Sequence, residues 1–358
     1  MLTAEAIIDL TALQHNFKVL QSKCPAAKMV AVIKANAYGH GAVAFAQALP
    51  DAHAFAVSRL PEAVELRDAG IKKPILLLEG CFCSEELKQA ADLDFHIMIH
   101  NETQLVALEE NILSQSVQVW IKVDTGMHRL GITPDILDSY YQRIKASGNA
   151  KPEVGFASHF HSADELHPEA TLAQITCFEK ATQGYPGPRS LSNSAGILHW
   201  PEAHYDWLRA GIALYGIVPR VDASGKEEGL RPVMTLKSKL ISVRAHQKGQ
   251  AVGYGHNWVA PQDTYIGVIA MGYGDGYPRT APNGTPVLVN GRKVPLVGNI
   301  SMDMITVDLG PDAMDKIGDE VIFWGDELPV EEVARHVGTI AYELVIKLTG
   351  RVQKTYLK

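Results

Sequence analysis

Cysteines are scarce in this sequence. Its 358 residues include only four, Cys24, Cys81, Cys83 and Cys177, too few and too irregularly spaced for a disulfide framework in a chain of this length. We expect reduced thiols at all four positions. The segment CFC could hold a soft metal ion, but no second Cys or His pair follows at ligand spacing, so packing or surface cysteines are the favoured interpretation.

Long apolar runs and an excess of positive charge are also missing. No stretch reaches the roughly 18 apolar residues of a membrane span, and the N-terminus MLTAEAIIDLTAL lacks the basic start and apolar core of a secretion signal. Lys and Arg total 33 against 40 Asp and Glu, a formal net charge of −7, and the basic residues are scattered. These absences argue against nucleic-acid and anionic-membrane partners and predict a cytoplasmic protein.

What the sequence does have is a regular alternation of strand-like apolar runs with helical stretches over its first half. Near-continuous apolar strands separated by helices indicate a parallel sheet covered by those helices. Eight such units in this length predict a closed (β/α)8 TIM barrel. The runs are MVAVIK (29–34), AFAVS (54–58), PILLLE (74–79), FHIMIH (95–100), VQVWIKV (117–123), EVGFASHF (153–160), SLSN (190–193) and YDWLRAG (205–211).

The sequence pattern changes near residue 230, and β-strand patterns predominate from there on. We expect a C-terminal, mostly antiparallel β domain, with Asn290-Gly291 as a hairpin turn and helical patterns only near the end. The polar segment VDASGKEEGL places the boundary between a barrel domain, 1–228, and a β-rich domain, 229–358. The initial AEAIIDL segment could pair with this second domain.

Polar residues collect at the carboxyl ends of the predicted barrel strands, which is the working face of such barrels. The set comprises Lys34, Lys122, Arg129, His159, His161, Asn193, Ser194 and Arg209. We call this end of the barrel the mouth, and its side chains are predominantly cationic. The segments NSAG and RAGIALYG follow the last two strands, where barrels commonly hold a phosphate. A partly desolvated lysine among other cations has a lowered pKa and can attack an aldehyde. Together these features suggest pyridoxal phosphate held as an imine by Lys34.

Plainer interpretations remain open for each of these residues. Lys34 alone reads as a surface lysine, and Asp124 and Arg129 could pair with their neighbours. His159 and His161 could hold a metal only if the strand continues to residue 161, and no carboxylate or cysteine completes the set; we expect no metal. The glycine-rich GYGDGYP lacks a following helix, so a turn is favoured over a dinucleotide site.

Taken together, the motifs closely resemble those of the alanine racemase family, which uses pyridoxal phosphate. The segment AVIKANAYGHG is similar to the family's cofactor-lysine motif. The barrel motifs IKVDTGMHRLG, HFHSAD, NSAG and RAGIALYG follow in the family's order, and so do the β-domain motifs VGYGHNW, GYGDGYPR and GNISMDM. The resemblance spans nearly the whole chain.

The resemblance implies a role for each site residue. Lys34 holds the cofactor as an imine and acts as one catalytic base, and Tyr254 acts as the second base on the opposite face of the substrate. Arg209 faces the pyridine nitrogen, Arg129 and Met302 contact the substrate, and Lys122 is a candidate for carbamylation. The remaining cofactor contacts are Tyr38, His159, Asn193, Ser194, Gly211, Ile212 and Tyr342.

A free phenol is a poor base at neutral pH, so the resemblance places His159 and Arg209 in a chain with Tyr254. In this family Tyr254 reaches the barrel of the partner subunit, which implies a head-to-tail homodimer with shared active sites. Ala210, where proline is frequent, and His161, where a small residue is usual, depart from the commoner pattern. They put the rate and the substrate range in doubt, but not the type of reaction.

The function implied is interconversion of L- and D-alanine, for peptidoglycan synthesis or alanine catabolism. A broad-specificity or serine racemase on the same scaffold is the nearest alternative. A non-catalytic pyridoxal-phosphate carrier would need neither the second domain nor its tyrosine. A metal-dependent barrel hydrolase is the third alternative.

Overall fold

The computed structural model describes residues 4–165, 168–220 and 223–358. The chain divides into two compact units, one formed by Asn16–Leu214 and the other by residues up to His15 together with Tyr215–Lys358. Val221 and Asp222, at the start of the predicted boundary segment, lie outside the described residues. The division at 228 and 229 therefore stays a prediction.

The first part of the chain alternates strands and helices, as its pattern predicts. The elements are β1 (Ala4–Asp9), α1 (Leu10–Lys23), β2 (Lys28–Val32), α2 (Lys34–Tyr38), α3 (Ala42–Ala48), β3 (Ala54–Val57), α4 (Leu60–Asp68), β4 (Ile75–Leu77), α5 (Ser84–Asp92), β5 (His96–Ile99), α6 (Glu102–Glu110), β6 (Gln118–Lys122), α7 (Leu137–Ala146), β7 (Gly155–Ala157), α8 (Pro168–Thr182), β8 (Arg189–Ser190), α9 (Ser194–His199) and β9 (Trp207–Ala210).

Strands β2 to β9 form one parallel sheet of eight strands, which confirms the predicted barrel. The hydrogen-bonded order is β8-β7-β6-β5-β4-β3-β2-β9. Two backbone bonds join the ends of this order, from Asp206 N to Arg189 O at 3.1 Å and from Arg209 N to Ser192 O at 3.0 Å. Strand β8 is short, but the chain beyond it still pairs with β9 through Ser192 O.

The barrel strands are buried on both faces, as parallel strands covered by helices should be. Phe55 of β3 and Phe156 of β7 have no exposed surface, and neither has Phe95, which directly precedes β5. Gly155 leaves room for an indole, since a Cβ at that position would lie 2.4 Å from Trp120 Cε3. The apolar runs of the sequence are thus the core of this unit.

The second part of the chain is mostly antiparallel β-sheet, which confirms the prediction of a mostly antiparallel β fold there. Its strands and helices are β10 (Met234–His246), β11 (Thr264–Ile269), β12 (Pro286–Val289), β13 (Arg292–Pro295), β14 (Ile305–Gly310), β15 (Glu320–Trp324), α10 (Val330–Val337), α11 (Ala341–Ile346) and β16 (Gln353–Leu357).

Strand β1 belongs to the sheet of this second unit. It pairs antiparallel with β10 and parallel with β16 in the order β13-β12-β15-β10-β1-β16. The suggested pairing of AEAIIDL is therefore confirmed. Asn290 and Gly291 join β12 to β13 with φ of 51° and 76°, the left-handed backbone that a tight hairpin requires.

Candidate active site

Lys34 lies immediately beyond β2, at the carboxyl end of the barrel. Its neighbour Ile33 still donates to Ala56 O at 2.9 Å, so the strand direction is maintained up to the lysine. Lys34 is partly buried. Burial, and then the charge of Arg129, hold the pKa of its amine below the ordinary value, while Glu79 and Glu62 act in the opposite direction. A lowered pKa raises the fraction of neutral, nucleophilic amine.

The segment after Lys34 is a single left-handed turn. Ala35, Asn36 and Ala37 have φ and ψ between 50° and 55°, and Tyr38 has a φ of 47°. Left-handed helix costs roughly 1–2 kcal/mol per residue other than glycine. Strain of this kind persists where surrounding contacts fix the backbone, and it concentrates at functional sites.

Further cationic groups surround the same mouth. Burial, followed by the charges of Arg209 and Arg129, lowers the pKa of Lys122 to about 7. Burial also lowers the pKa of His159 well below its usual range, helped by Lys122, Arg209, Arg129 and Lys34. The structure therefore brings five of the six predicted basic residues, all but His161, within electrostatic reach of one another, and their surroundings disfavour the protonated form of His159.

Arg209 is fixed in place by oxygen acceptors inside the barrel. Its NH1 donates to Ser190 O at 2.9 Å and to Ser190 Oγ at 2.5 Å, and its NH2 donates to Ser158 O at 2.5 Å and to Leu191 O at 3.2 Å. Only 5% of the residue is exposed, and burial lowers its pKa to about 10. The guanidinium thus remains charged at neutral pH, with Nε outside these four bonds.

Tyr38, Ser194 and Gly211 converge on one small region. Ser194 Oγ accepts from Gly211 N at 3.0 Å and from Ala213 N at 3.1 Å. A Cβ at Gly211 would lie 3.3 Å from Tyr38 Oη and 3.6 Å from Ser194 Oγ. Asn193 caps α9 by accepting from Gly196 N at 3.0 Å, and Ile212 is buried beside Gly211. Two hydroxyls thus face a glycine whose hydrogen leaves the space open.

The loop between Lys122 and Arg129 is organised by Asp124. This carboxylate accepts from Gly126 N and His128 N, both at 3.0 Å, and it pairs with His128 Nδ1 at 3.0 Å. The plain interpretation of Asp124 as a residue that pairs with its neighbours is therefore confirmed. Arg129, by contrast, is exposed at the mouth.

His159 and His161 do not share a strand face, because β7 ends at Ala157. His161 is exposed and its Nδ1 contacts Ser162 Oγ. Across the described ranges no group of three or more His, Cys, Asp or Glu is placed to hold a metal ion. The same residues include no helix with the length and hydrophobicity to cross a membrane.

Two residues at this mouth were not predicted from the sequence. Glu62 on α4 accepts from Ala35 N at 2.6 Å. Gln174 on α8 donates to His159 O at 3.0 Å and accepts from His161 N at 3.1 Å. Glu62 stands three residues after Arg59, the capping-box spacing, and Gln174 is an amide buried at 2% exposure in its helix. The spacing of Glu62 and the buried amide of Gln174 each indicate a local structural role. The sequence does not show which segment either side chain contacts.

The second unit carries the remaining predicted residues. Tyr254 is 72% exposed and Met302 is 52% exposed. Asn299 Nδ2 donates to Tyr254 O at 2.7 Å, and Gly274 N donates to Met302 O at 2.8 Å. Tyr342 lies on α11. The loops that present Tyr254 and Met302 are thus tied down, although the side chains themselves are accessible.

Comparison with known proteins agrees with this arrangement. The sequence profile of the alanine racemase N-terminal domain matches residues 8–219, and that of the C-terminal domain matches residues 233–356. The chain is 53% identical to the biosynthetic alanine racemase of Escherichia coli (strain K12), over 100% of both chains.

Solved structures give the same result. The biosynthetic alanine racemase of Pseudomonas aeruginosa superimposes with a TM-score of 0.97 at 44% identity, and the alanine racemase of Acinetobacter baumannii with a TM-score of 0.94 at 35% identity, each over 100% of both chains. With both domains matched in order and full-length relatives above half identity, the chain belongs to the alanine racemase family.

Proposed function

We propose that this protein interconverts L-alanine and D-alanine with pyridoxal 5'-phosphate as its cofactor. The observation that carries the proposal is Lys34, an amine of lowered pKa at a barrel mouth that also holds Arg209 and the Tyr38–Ser194–Gly211 cradle. The relatives named above are described as alanine racemases. The chemistry of the mouth and the names of the relatives therefore agree.

The residues present fit this cofactor. Hydroxyls and open space at a glycine suit a phosphate group, and Tyr38, Ser194, Gly211, Ile212 and Tyr342 would hold it. Asn193 and His159 would complete the contacts. When bound, pyridoxal phosphate draws electrons from the amino acid and acidifies its Cα–H bond.

Arg209 would donate a hydrogen bond to the ring nitrogen. The four acceptors that bind NH1 and NH2 fix the plane of the guanidinium. Because an arginine stays protonated, it discourages protonation of that nitrogen, whereas an aspartate would encourage it. With Arg209 in this position the electron withdrawal would be moderate, which would favour return of a proton over side reactions.

Racemisation needs a proton acceptor and donor on each face of Cα. Lys34 would serve one face and Tyr254 of the partner subunit the other, with His159 and Arg209 supporting the phenolate. The 72% exposure of Tyr254 supports this assignment, because a phenol held on an anchored loop is accessible to a second molecule. A head-to-tail homodimer with shared active sites follows from the assignment.

Arg129 would contact the substrate carboxylate, and Met302 of the partner subunit would add a backbone contact. Lys122 is the proposed carbamylation site, since its pKa of about 7 makes its neutral amine abundant under physiological conditions. A carbamate there would be an anion that orients Arg129.

We infer that the enzyme supplies D-alanine for peptidoglycan, because full-length relatives are described as biosynthetic alanine racemases. A cytoplasmic location is part of the same proposal. The deciding experiment is an assay of each alanine enantiomer with and without added pyridoxal phosphate, extended to serine and other amino acids. Interconversion that depends on the cofactor and is fastest for alanine is expected. A better substrate than alanine would instead favour a broad-specificity or serine racemase.

A further inference from the structure

The backbone after Lys34 adopts a conformation that is unfavourable for most of its residues. Residues 35–38 all have positive φ, between 47° and 52°, and none is glycine. Alanine and tyrosine rarely adopt this backbone. Contacts from elsewhere in the barrel unit must therefore compensate for the strain.

Glu62 on α4 provides such a contact. Its Oε1 accepts from Ala35 N, the first amide after Lys34, at 2.6 Å. Its Oε2 accepts from Ser58 N at 2.9 Å and from Arg59 N at 3.1 Å. One carboxylate thus ties the turn to the carboxyl end of β3, and hydrogen bonds to an ionised acceptor are about twice as strong as neutral ones.

Further hydrogen bonds to the turn come from its own segment. Asn36 Oδ1 accepts from Ala42 N at 2.8 Å. His40 Nδ1 lies 3.1 Å from Ala37 O and 2.9 Å from Tyr38 O. These bonds stiffen residues 36–42 internally, whereas Glu62 fixes the segment to a different helix.

Glu62 also affects the charge balance at Lys34. Burial and the charge of Arg129 lower the pKa of this amine, whereas the charges of Glu79 and Glu62 raise it. Glu79 Oε2 lies 3.6 Å from Arg59 Nε. Its charge raises the pKa of Lys34, as that of Glu62 does. It is therefore a matched control that removes the same charge without removing the bond to Ala35.

We propose that Glu62 is a positioning residue that locks the left-handed turn and thereby sets the direction in which Lys34 projects into the mouth. This inference rests on the proposed role of Lys34 in holding the cofactor. Its structural half, the locked turn, stands without the cofactor and can be measured separately.

The experiment compares the wild-type chain with Glu62→Gln, Glu62→Ala and Glu79→Gln. Amide hydrogen exchange over residues 34–41 is measured without cofactor. The rate at which visible absorbance is lost on dilution is measured after loading with pyridoxal phosphate. The Glu62 variants are expected to exchange faster and to lose cofactor at least about tenfold faster, whereas Glu79→Gln resembles the wild type in both measurements.

Each outcome bears on one of the two proposals. Exchange in the Glu62 variants that matches Glu79→Gln overturns the positioning role, and so does equal loss of cofactor from all four proteins. If Glu62→Ala does not fold, Glu62→Gln provides the same two readouts, because its amide cannot accept at both sites. A wild-type chain that acquires no absorbance with the cofactor contradicts the proposed function instead, while the exchange data still test the turn.

Discussion

At the scale of single residues, the site depends on basic groups whose protonation is suppressed by burial and, to a smaller extent, by neighbouring charges. Lys34, Lys122 and His159 all have lowered pKa values, and in each case burial is the largest cause. Arg209, as a guanidinium, stays charged. The mouth thus offers a permanent cation and amines that can be neutral, which is the combination needed for an aldehyde cofactor with a phosphate.

Replacement of Lys34 by alanine should abolish the visible absorbance of the protein loaded with pyridoxal phosphate. The proposed bond between Lys34 and the cofactor is covalent, and no other amine is proposed to form it. The absorbance spectrum of the purified protein is the measurement, and Lys88→Ala, which changes an exposed lysine of α5, is the control. A Lys34→Ala protein that keeps the absorbance removes Lys34 from its role.

Carbamylation of Lys122 should depend on pH. Only a neutral amine combines with carbon dioxide, and a pKa of about 7 leaves most of this amine neutral at pH 8, whereas an ordinary lysine is almost entirely protonated there. A carbamate signal in ¹³C NMR with labelled bicarbonate is expected at pH 8 and should fall as the pH drops through 7. Lys122→Arg should show none, and an identical signal in that variant would assign the carbamate elsewhere.

At the scale of elements, side chains from the outer helices fix the loops at the mouth. Gln174 of α8 is 2% exposed. It bonds to His159 O and His161 N after β7, and to Thr125 Oγ1 after β6 at 3.4 Å. A single amide therefore connects the loop that carries His159 with the loop that leads to Arg129.

Gln174→Leu should cost about 1–3 kcal/mol of stability, the usual penalty for a buried polar group left without its partner. It should also lower kcat more than it raises KM, because His159 is proposed to support the chemical step rather than to bind substrate. Urea unfolding and steady-state kinetics measure the two effects. Gln89→Leu, an exposed glutamine on α5, is the matched control, and equal kinetics in the two variants would show that Gln174 serves stability alone.

The elements differ in how far the sequence predicts them. Most barrel strands were predictable because a strand buried on both faces needs a continuous apolar run. Strand β8, Arg189–Ser190, has no such run and overlaps the predicted SLSN only at Ser190. The turn at 35–38 was not, since only Asn36 among these four residues is of a type that adopts positive φ readily, and the hydrogen bond to Glu62 comes from another helix. Strand β16 was missed because QKTYL is short and largely polar. Its pairing with β1 joins the two ends of the chain, which local patterns do not encode.

The candidate site shows the same limit. Residues at strand ends, such as Lys34 and Arg209, follow directly from the barrel topology. The partners that set their orientation, Glu62 and Ser190, lie on neighbouring elements and become visible only when the helices and strands are assembled. The sequence therefore predicts the reactive groups at the mouth, but not the residues that hold those groups in position.

At the scale of the whole molecule, the proposal requires two chains for each active site. Lys34 and Tyr254 lie in different compact units of the chain, and the proposed pairing joins Lys34 of one subunit to Tyr254 of the partner subunit. Tyr254→Phe should slow proton exchange from one alanine enantiomer far more than from the other, because the two bases serve opposite faces. Equal slowing, measured as loss of deuterium from each labelled enantiomer, would argue against a dedicated second base.

Mixing two inactive variants tests the shared site directly. In a mixed dimer of Lys34→Ala and Tyr254→Phe chains, one site contains both lesions and the other contains neither, provided that each site draws on both chains. Random pairing then restores about a quarter of the wild-type activity. If Tyr254 instead served its own subunit, every site in the mixture would carry one lesion and no activity would return. Coexpression of the two variants, followed by an alanine racemisation assay, distinguishes these arrangements, with each variant expressed alone as the baseline.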